Sequence, residues 1–303
     1  MTALIAFLWI LLLVALASAK VTLQGRVSRT HFKNAQDPVL FNGILFLAIA
    51  GVLAIVFPLV QPNTSLLLSA LAVAGFTFLF QTTYAMAMSS GPVSLTVLIV
   101  TFSQFIPITA SVILYGEKIY LTQLIGIVFL LLSMFLSLKS DDGKERSVTP
   151  KWILLALVAT VTCGIATALQ KVFGKNNVGI EGADTTFLCL IYLFAAVLAI
   201  LFYLVRRNVG TKKPASFRIG KSILLYTLAI AAILAVYQKC YMIALVEIDS
   251  AVLLPTQNGL QSLIMTFIGV LFFRDRLSLR QKFGVLCGIL CIVLMNLPFG
   301  ISF

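Results

Sequence analysis

Charged side chains are scarce in this chain of 303 residues, and one long region has none. Asp, Glu, Lys and Arg make up 11% of the sequence, and residues 38–116 contain none of them and no His. A soluble domain cannot bury so long an uncharged run, whereas a bilayer requires such runs at about 20 residues per helical span. The apolar runs also lack the in–out alternation of a membrane β-barrel. The sequence therefore predicts an all-α integral membrane protein.

Residues suited to catalysis are equally sparse. The single histidine, His31, lies in a predicted loop, and the ten acidic residues lie in loops or at helix ends. This pattern offers no nucleophile with a neighbouring base and no set of metal ligands. A complete Gly-x-x-x-x-Gly-Lys-Ser/Thr loop for nucleotide phosphates is missing as well. We therefore expect no catalytic residue, no metal and no cofactor.

Polar turn-forming clusters divide the apolar sequence into ten predicted helices. In the uncharged region the turns fall at 61–64 and 89–92, and both contain proline. A polar stretch at 139–151 separates the first five helices from the last five. The predicted spans are 2–19 with a continuation toward Gln24, then 38–60, 65–88, 93–115, 121–138, 152–171, 185–205, 221–246, 250–273 and 281–299.

The two halves of the chain repeat one another. A shift of 157 positions aligns Gln81 with Gln238, and the same shift aligns Gln104 with Gln261. Because five is an odd number of spans, the second copy enters the bilayer in the opposite orientation, which predicts inverted repeats around a central cavity. The predicted organisation is a first five-helix repeat in 1–140, a linker in 141–150 and a second five-helix repeat in 151–303.

Basic residues concentrate on one side of the predicted helices. Of the 22 Lys and Arg residues, 18 fall in the odd-numbered loops, and three fall on the opposite side. Positive loops stay in the cytoplasm, so the distribution predicts cytoplasmic odd loops and extracytoplasmic termini in the cell membrane. The net charge of +12 is thereby explained by the membrane, and we expect no nucleic-acid partner.

Four short motifs stand at helix ends in both halves. They are Gly-Pro-Val-Ser-Leu at 91–95, Glu…Leu…Gln…Gly at 117–126, Leu-Pro-Thr-Gln-Asn-Gly at 254–259 and Asp-Arg-Leu…Gln…Gly at 275–284. With them, the chain resembles the EamA-type transporters of the drug/metabolite transporter superfamily. The resemblance implies alternating access to a cavity lined by the first, third, fourth, sixth, eighth and ninth helices. Many such relatives have both termini in the cytoplasm, which is opposite to the topology that the charge distribution predicts here. The direction of transport therefore stays open.

A carrier needs polar side chains near the middle of the membrane, and the duplicated helices supply them. Gln81 with Tyr84, and Gln238 with Tyr241, each lie on one helix face about one turn apart. The alternative is that such groups only bond one helix to another. The side chains predicted to bind substrate are Gln24, Gln81, Tyr84, Ser103, Gln104, Gln170, Tyr237, Gln238, Tyr241, Gln257, Asn258 and Gln261.

Two prolines and two lysines are further candidates. Pro107 and Pro255 interrupt the fourth and ninth helices and serve either as hinge or gate or only for packing. Lys239 lies inside a span and Lys171 at the end of one, where each either contacts a charged group of the substrate or snorkels to the interface. Since no acidic residue is mid-span, a buried carboxylate relay for protons is not expected.

The sequence thus predicts a secondary transporter, either an exporter or a permease. It would move a small polar or amphipathic metabolite by alternating access, as a facilitator or an exchanger. A flippase for a lipid-linked small molecule is the alternative, and a membrane-embedded enzyme is less favoured. The expected partners are the small-molecule substrate and the lipid bilayer, with the chain acting as a monomer or a homodimer.

Overall fold

The computed structural model describes residues 3–31, 37–90, 96, 99–137, 149–209, 221–273 and 279–295. These residues form ten α-helices and one short 3-10 turn at Phe102–Gln104. In chain order the helices are α1 (Ala3–His31), α2 (Asp37–Val56), α3 (Thr64–Ser90), α4 (Phe105–Tyr115), α5 (Leu121–Ser137), α6 (Pro150–Asn176), α7 (Ala183–Val209), α8 (Lys221–Glu247), α9 (Ser250–Phe273) and α10 (Leu279–Met295).

The long apolar runs of the sequence explain why these helices form. Within the described ranges, six helices are long and apolar enough to cross a bilayer, namely α1, α2, α3, α6, α7 and α8. Their outer faces carry large exposed apolar side chains, such as Ile55 at 86% and Leu225 at 71% exposure. Lipid tails suit such side chains, and a helix satisfies its backbone hydrogen bonds internally. The protein is therefore an all-helical, multi-pass membrane protein, as predicted.

Some helix ends differ from the predicted ones. α1 runs on to His31, so much of the predicted basic loop after residue 24 is helical. α2 ends at Val56 rather than at residue 60, because Pro58 has no backbone N–H and disfavours helical geometry in the residue before it. α6 continues to Asn176 and carries Lys171 well inside the helix. Residues 141–148 of the predicted linker lie outside the described residues.

Pro107 explains the 3-10 turn within the described part of the fourth predicted span, Ile99–Tyr115. It lies in the first turn of α4, directly after the 3-10 turn, and it cannot donate a hydrogen bond to the Ser103 carbonyl. That carbonyl packs against Gly164 of α6, where a Cβ atom would come within 2.6 Å of the Ser103 oxygen. Pro255 lies inside α9. Whether either proline acts as a hinge or gate stays a prediction.

The two halves of the chain interlock rather than stand side by side. α2 and α3 pack against α7, and their residues form the largest buried apolar cluster together with those of α8. Other contacts between halves join α1 to α8 and α9, α3 and α4 to α6, α2 to α8, and α9 to α4 and α5. α5 pairs with α10. A space enclosed by the long helices is therefore walled by both halves of the chain.

Four short connections meet at one end of the bundle, which we call the turn end (57–63, 116–120, 177–182 and 248–249). The backbone N–H of Val60 donates to Thr186 Oγ1 at 2.9 Å. Gly182 has φ of +81°, and a Cβ atom there would lie 3.0 Å from the Pro58 carbonyl oxygen. A side chain would therefore strain both the backbone and this contact. These contacts hold the start of α7 tightly against the chain that follows α2.

Candidate functional site

A cavity of about 290 Å³ lies between the long helices of both halves. Residues of α1, α2, α3, α6, α7, α8 and α9 line it. Its amide groups come from Asn42 and from four glutamines, Gln81, Gln170, Gln238 and Gln261. The expected contribution of the fourth helix is absent among the described lining residues, and α2 and α7 contribute instead.

Part of the predicted substrate site does line this cavity. These side chains are Gln81, Gln170, Tyr237, Gln238, Tyr241 and Gln261. The cavity brings them together from α3, α6, α8 and α9, although they lie far apart in the sequence. The side chain of Gln24, which was also predicted to bind substrate, lies outside the described residues. Substrate binding by this set stays a prediction.

Other predicted site residues do not line the cavity. Gln104 is buried, and its Oε1 accepts a hydrogen bond from Asn258 Nδ2 at 3.0 Å. Tyr84 packs its ring against Phe80, and Ser103 forms a hydrogen bond with Cys163. The contacts of Tyr84, Ser103, Gln104 and Asn258 agree with the alternative, in which polar groups bond and pack helices together, and substrate binding by them stays a prediction.

Gln257 has an indirect relation to the cavity. It is 6% exposed and lies behind the wall, where its Nε2 donates to the Tyr237 hydroxyl at 2.8 Å. Tyr237 itself stacks on Tyr241, with ring centroids 5.6 Å apart and 11° between the ring planes. Gln257 therefore orients an aromatic wall of the cavity instead of forming that wall.

Corresponding positions of the two halves line the cavity. Along α3 and α8, the pairs separated by 157 positions are Thr77 with Leu234, Phe80 with Tyr237, and Gln81 with Gln238. Along α1 and α6, the pairs separated by 146 positions are Ala17 with Cys163, Lys20 with Ala166, and Val21 with Thr167. Most of these pairs match in size or polarity. Lys20 and Ala166 do not, so the cavity is charged on one side.

Sequence reasoning missed Lys20 and three wall residues of α2 and α7. Lys20 was counted with the basic loop after the first span, but α1 continues past it and turns it toward the cavity. Asn42, Phe46 and Tyr192 were missed because α2 and α7 are almost uniformly apolar, which hides the inner face of each helix. The absence of Pro, Asn and Asp from residues 3–31 could have indicated the longer α1.

Lys171, a predicted charge contact, belongs to a buried polar group that we call the Lys171 cluster (Ser111, Glu117, Lys171 and Ser250). Its Nζ pairs with Glu117 Oε1 and donates to Ser250 Oγ at 2.7 Å. Glu117 Oε2 accepts the backbone N–H of Ser250 at 2.9 Å, and the Ser250 and Ser111 hydroxyls are 2.9 Å apart. The side chains of Lys171 and Glu117 are only 1% and 8% exposed.

Helix ends help to explain why this charge pair is buried. Glu117 lies at the N-terminus of α9, where the helix dipole favours a negative charge. Lys171 lies near the C-terminal end of α6, which favours a positive charge. Glu117 precedes α5 in the chain, but its carboxylate accepts a hydrogen bond at the start of α9. The cluster joins α4, α6 and α9 at the turn end.

Lys239, the second predicted charge contact, is also paired. Its Nζ forms an ion pair with Asp184 and donates to Thr185 Oγ1 at 2.9 Å, so α8 is bonded to the first turn of α7. The Lys239 and Asp184 side chains are 20% and 28% exposed. Both line a second hollow of about 430 Å³ at the turn end. Lys239 therefore neither lines the central cavity nor snorkels without a partner.

The fold and the cavity define a multi-pass membrane protein with a polar interior site. Residues 150–297 match the model of the EamA-like transporter family. No curated protein sequence matches the chain significantly. One solved crystal structure is similar to the chain, at 17% identity over 96% of this chain and 95% of that one, with a TM-score of 0.70. At that identity the likeness shows a shared fold alone.

The match over residues 150–297 agrees with the resemblance to the EamA-type transporters of the drug/metabolite transporter superfamily that the motifs predicted. Members of the family are transporters rather than enzymes. The family and the apolar helices together indicate a membrane transporter.

Proposed function

We propose that the protein is a secondary transporter that moves a small polar or amphipathic metabolite by alternating access. The observation that carries the proposal is the cavity of about 290 Å³, walled by amides and tyrosines from both halves of the chain. Binding sites for small molecules usually measure about 300–1,000 Å³, so this volume suits a small metabolite. No acidic residue is among the described lining residues, which favours a facilitator or exchanger over proton coupling through a cavity carboxylate.

We interpret the two halves as inverted five-helix repeats around this cavity. In such repeats, α1–α5 correspond to α6–α10 in order. The contact of α1 with α8 then corresponds to the contact of α6 with α3, and both contacts exist. In the same way, α1 with α9 corresponds to α6 with α4, and α2 with α8 corresponds to α7 with α3. The paired wall positions at separations of 157 and 146 support the same two-fold relation.

The turn end is the part of the molecule that would open in the other conformation. The Lys171 cluster joins α4, α6 and α9 there with a buried ion pair and several hydrogen bonds. Access to the cavity from this end requires α9 to separate from α4 or α6, which breaks those bonds. A disulfide across the cluster should therefore hold that end closed and stop transport.

The experiment uses the serine hydroxyls of the cluster, which are 2.9 Å apart. The variant Ser111→Cys/Ser250→Cys is reconstituted in liposomes loaded with a metabolite mixture, and efflux is followed by mass spectrometry. We expect at least one metabolite to leave faster than from protein-free liposomes, oxidation to stop this efflux and reduction to restore it. Each single cysteine variant is the control and should be insensitive to oxidation. Efflux equal to that of protein-free liposomes would contradict transport, and efflux through the cross-linked protein would contradict opening at this end.

We further propose that the protein lies in the cell membrane with the turn end outside. The support comes from the sequence, in which 17 of the 22 Lys and Arg residues, with Lys20 not counted, fall in the odd-numbered predicted loops at the opposite end. Lys118 is exposed at the turn end and offers a labelling position. The variant Lys118→Cys should react with a membrane-impermeant maleimide in intact cells. Reaction only after the cells are broken would reverse the orientation.

A further inference from the structure

Lys20 is the only basic residue among the described residues that line the cavity. It lies within the apolar span Leu4–Leu23 of α1, and Ala17 and Val21 line the cavity from the same helix face. The matching position of the second half is Ala166, which also lines the cavity. The charge therefore belongs to one wall only and is not required by the duplicated architecture.

The described residues that line the cavity include no carboxylate that neutralises Lys20. None of the described lining residues is acidic, whereas Lys171 and Lys239 each pair with a carboxylate elsewhere. A charged side chain inside a membrane span is costly, and such residues generally serve a function. The described lining of the site therefore carries one unneutralised positive charge, and an anionic ligand would supply the missing negative charge.

A second group on the wall is also unsatisfied. The side-chain oxygen Oε1 of Gln238 is buried and has no hydrogen-bond partner among the described residues, whereas the Gln238 amide does bond the Tyr192 side chain on the same wall. A buried acceptor without a donor is unfavourable, so a ligand that brings an O–H or N–H group to it would gain a hydrogen bond. Gln238 is on α8 between Tyr237 and Tyr241, whose stacked rings form a flat apolar surface beside it.

We propose that the transported substrate is a small organic anion that carries both a carboxylate and a hydrogen-bond donor. Its carboxylate lies at the Lys20 ammonium group, and its hydroxyl or N–H group donates to Gln238 Oε1. The tyrosine rings bind the apolar part of the molecule. This inference rests on the proposed transport function and adds the charge and the class of the substrate.

The test uses three probes with one carbon skeleton and different charge. They are 3-phenyllactate, an anion with a hydroxyl group, its neutral amide 3-phenyllactamide, and the cation phenylalaninamide. Binding to the purified full-length protein is measured by ligand-induced thermal stabilisation. We expect the anion to bind at least about tenfold more tightly than the neutral amide, because it gains a charge-assisted hydrogen bond.

Variants at Lys20 separate the charge from the shape of the side chain. Lys20→Met should remove the preference for 3-phenyllactate over 3-phenyllactamide, and Lys20→Arg should retain most of it. The control Lys118→Met removes an exposed lysine at the turn end and should keep the full preference. Gln238→Leu should remove the preference of the protein for 3-phenyllactate over 3-phenylpropionate, which lacks the hydroxyl group.

Several outcomes would overturn the inference. These are absence of binding by 3-phenyllactate, equal binding of the anion and the amide, or an anion preference that persists in Lys20→Met. A protein that releases neutral metabolites in the efflux assay but shows no anion preference would refute this inference and leave transport standing. A protein that binds the anion through Lys20 but releases nothing would refute transport and leave the anion site standing.

Discussion

Lysines inside the helical bundle have carboxylate partners at the turn end, whereas the cavity lysine has none among the described lining residues. At the turn end, Lys171 pairs with Glu117 and Lys239 pairs with Asp184. On the cavity wall, Lys20 has no acidic neighbour among the described lining residues. The first two lysines hold helices together, because each ion pair joins residues more than 50 positions apart in the chain. Lys20 adds no such cross-link, which leaves its charge available to a ligand.

This difference shows that position in a helix does not reveal the function of a lysine. All three side chains lie in long helices of the described structure. What distinguishes them is whether a carboxylate from another helix reaches the ammonium group. The same replacement, lysine by methionine, should therefore have a different effect on stability at each of the three positions.

The largest effect is expected for Lys171→Met. The substitution leaves the Glu117 carboxylate buried without its partner, which costs about 3–5 kcal/mol in comparable buried pairs. Thermal unfolding in detergent, followed by tryptophan fluorescence, should show a lower Tm. The double variant Lys171→Met/Glu117→Gln should recover much of the loss, because no buried charge remains. A single variant as stable as the double one would contradict the assigned ion pair.

The close packing at the turn end should be the next most sensitive feature. A Cβ atom at Gly174 would lie 2.6 Å from Val246 Cγ2 and 3.3 Å from Met242 Cε. Valine is stiff at this position of a helix, so Gly174→Ala should lower the free energy of unfolding by about 1–3 kcal/mol. Gly75→Ala is the matched control, since nothing lies within 4 Å of a Cβ atom there. Equal stability of the two variants would show that α6 and α8 can move apart.

A smaller loss is expected for Lys239→Met. The ion pair with Asp184 is partly open to its surroundings, and such pairs contribute about 1 kcal/mol or less. The same unfolding measurement should place this variant between wild type and Lys171→Met. A loss as large as that of Lys171→Met would mean that the two pairs are equally buried and that the distinction between them is wrong.

The smallest effect on stability is expected for Lys20→Met. Without ligand, its free energy of unfolding should lie within about 0.5 kcal/mol of wild type or above it, because no carboxylate among the described lining residues loses its partner. The measurement is repeated with 3-phenyllactate, where wild type should gain stability and the variant should not. A loss comparable to that of Lys239→Met in the absence of ligand would reveal a partner for Lys20 and weaken the comparison.

Much of the fold follows from local sequence features. The predicted span 250–273 coincides with α9, and most other helices begin or end within a few residues of their predicted limits. Apolar runs and turn-forming residues act over short distances, so they are readable without the rest of the chain. The duplication likewise indicated Gln81 and Gln238, and both line the cavity.

The candidate site was harder to predict, because a helix face is chosen by its neighbours. Gln104 aligns with Gln261 in the duplication, yet only Gln261 lines the cavity, while Gln104 bonds Asn258. Lys20 was assigned to a loop because the uncharged apolar run ends at residue 19, although α1 continues to His31. A polar residue in a membrane helix signals a partner or a ligand, but the sequence does not say which.

The amino-acid sequence by itself determined the membrane class, the order of the helices and their duplication. Those properties arise from apolar length and from the repetition of residues along one chain. Only the tertiary structure decided which lysines are neutralised and which one faces the cavity. The reason is physical: Coulomb and hydrogen-bond energies act over a few ångströms, and residues such as Glu117 and Lys171 reach that distance only when their helices pack.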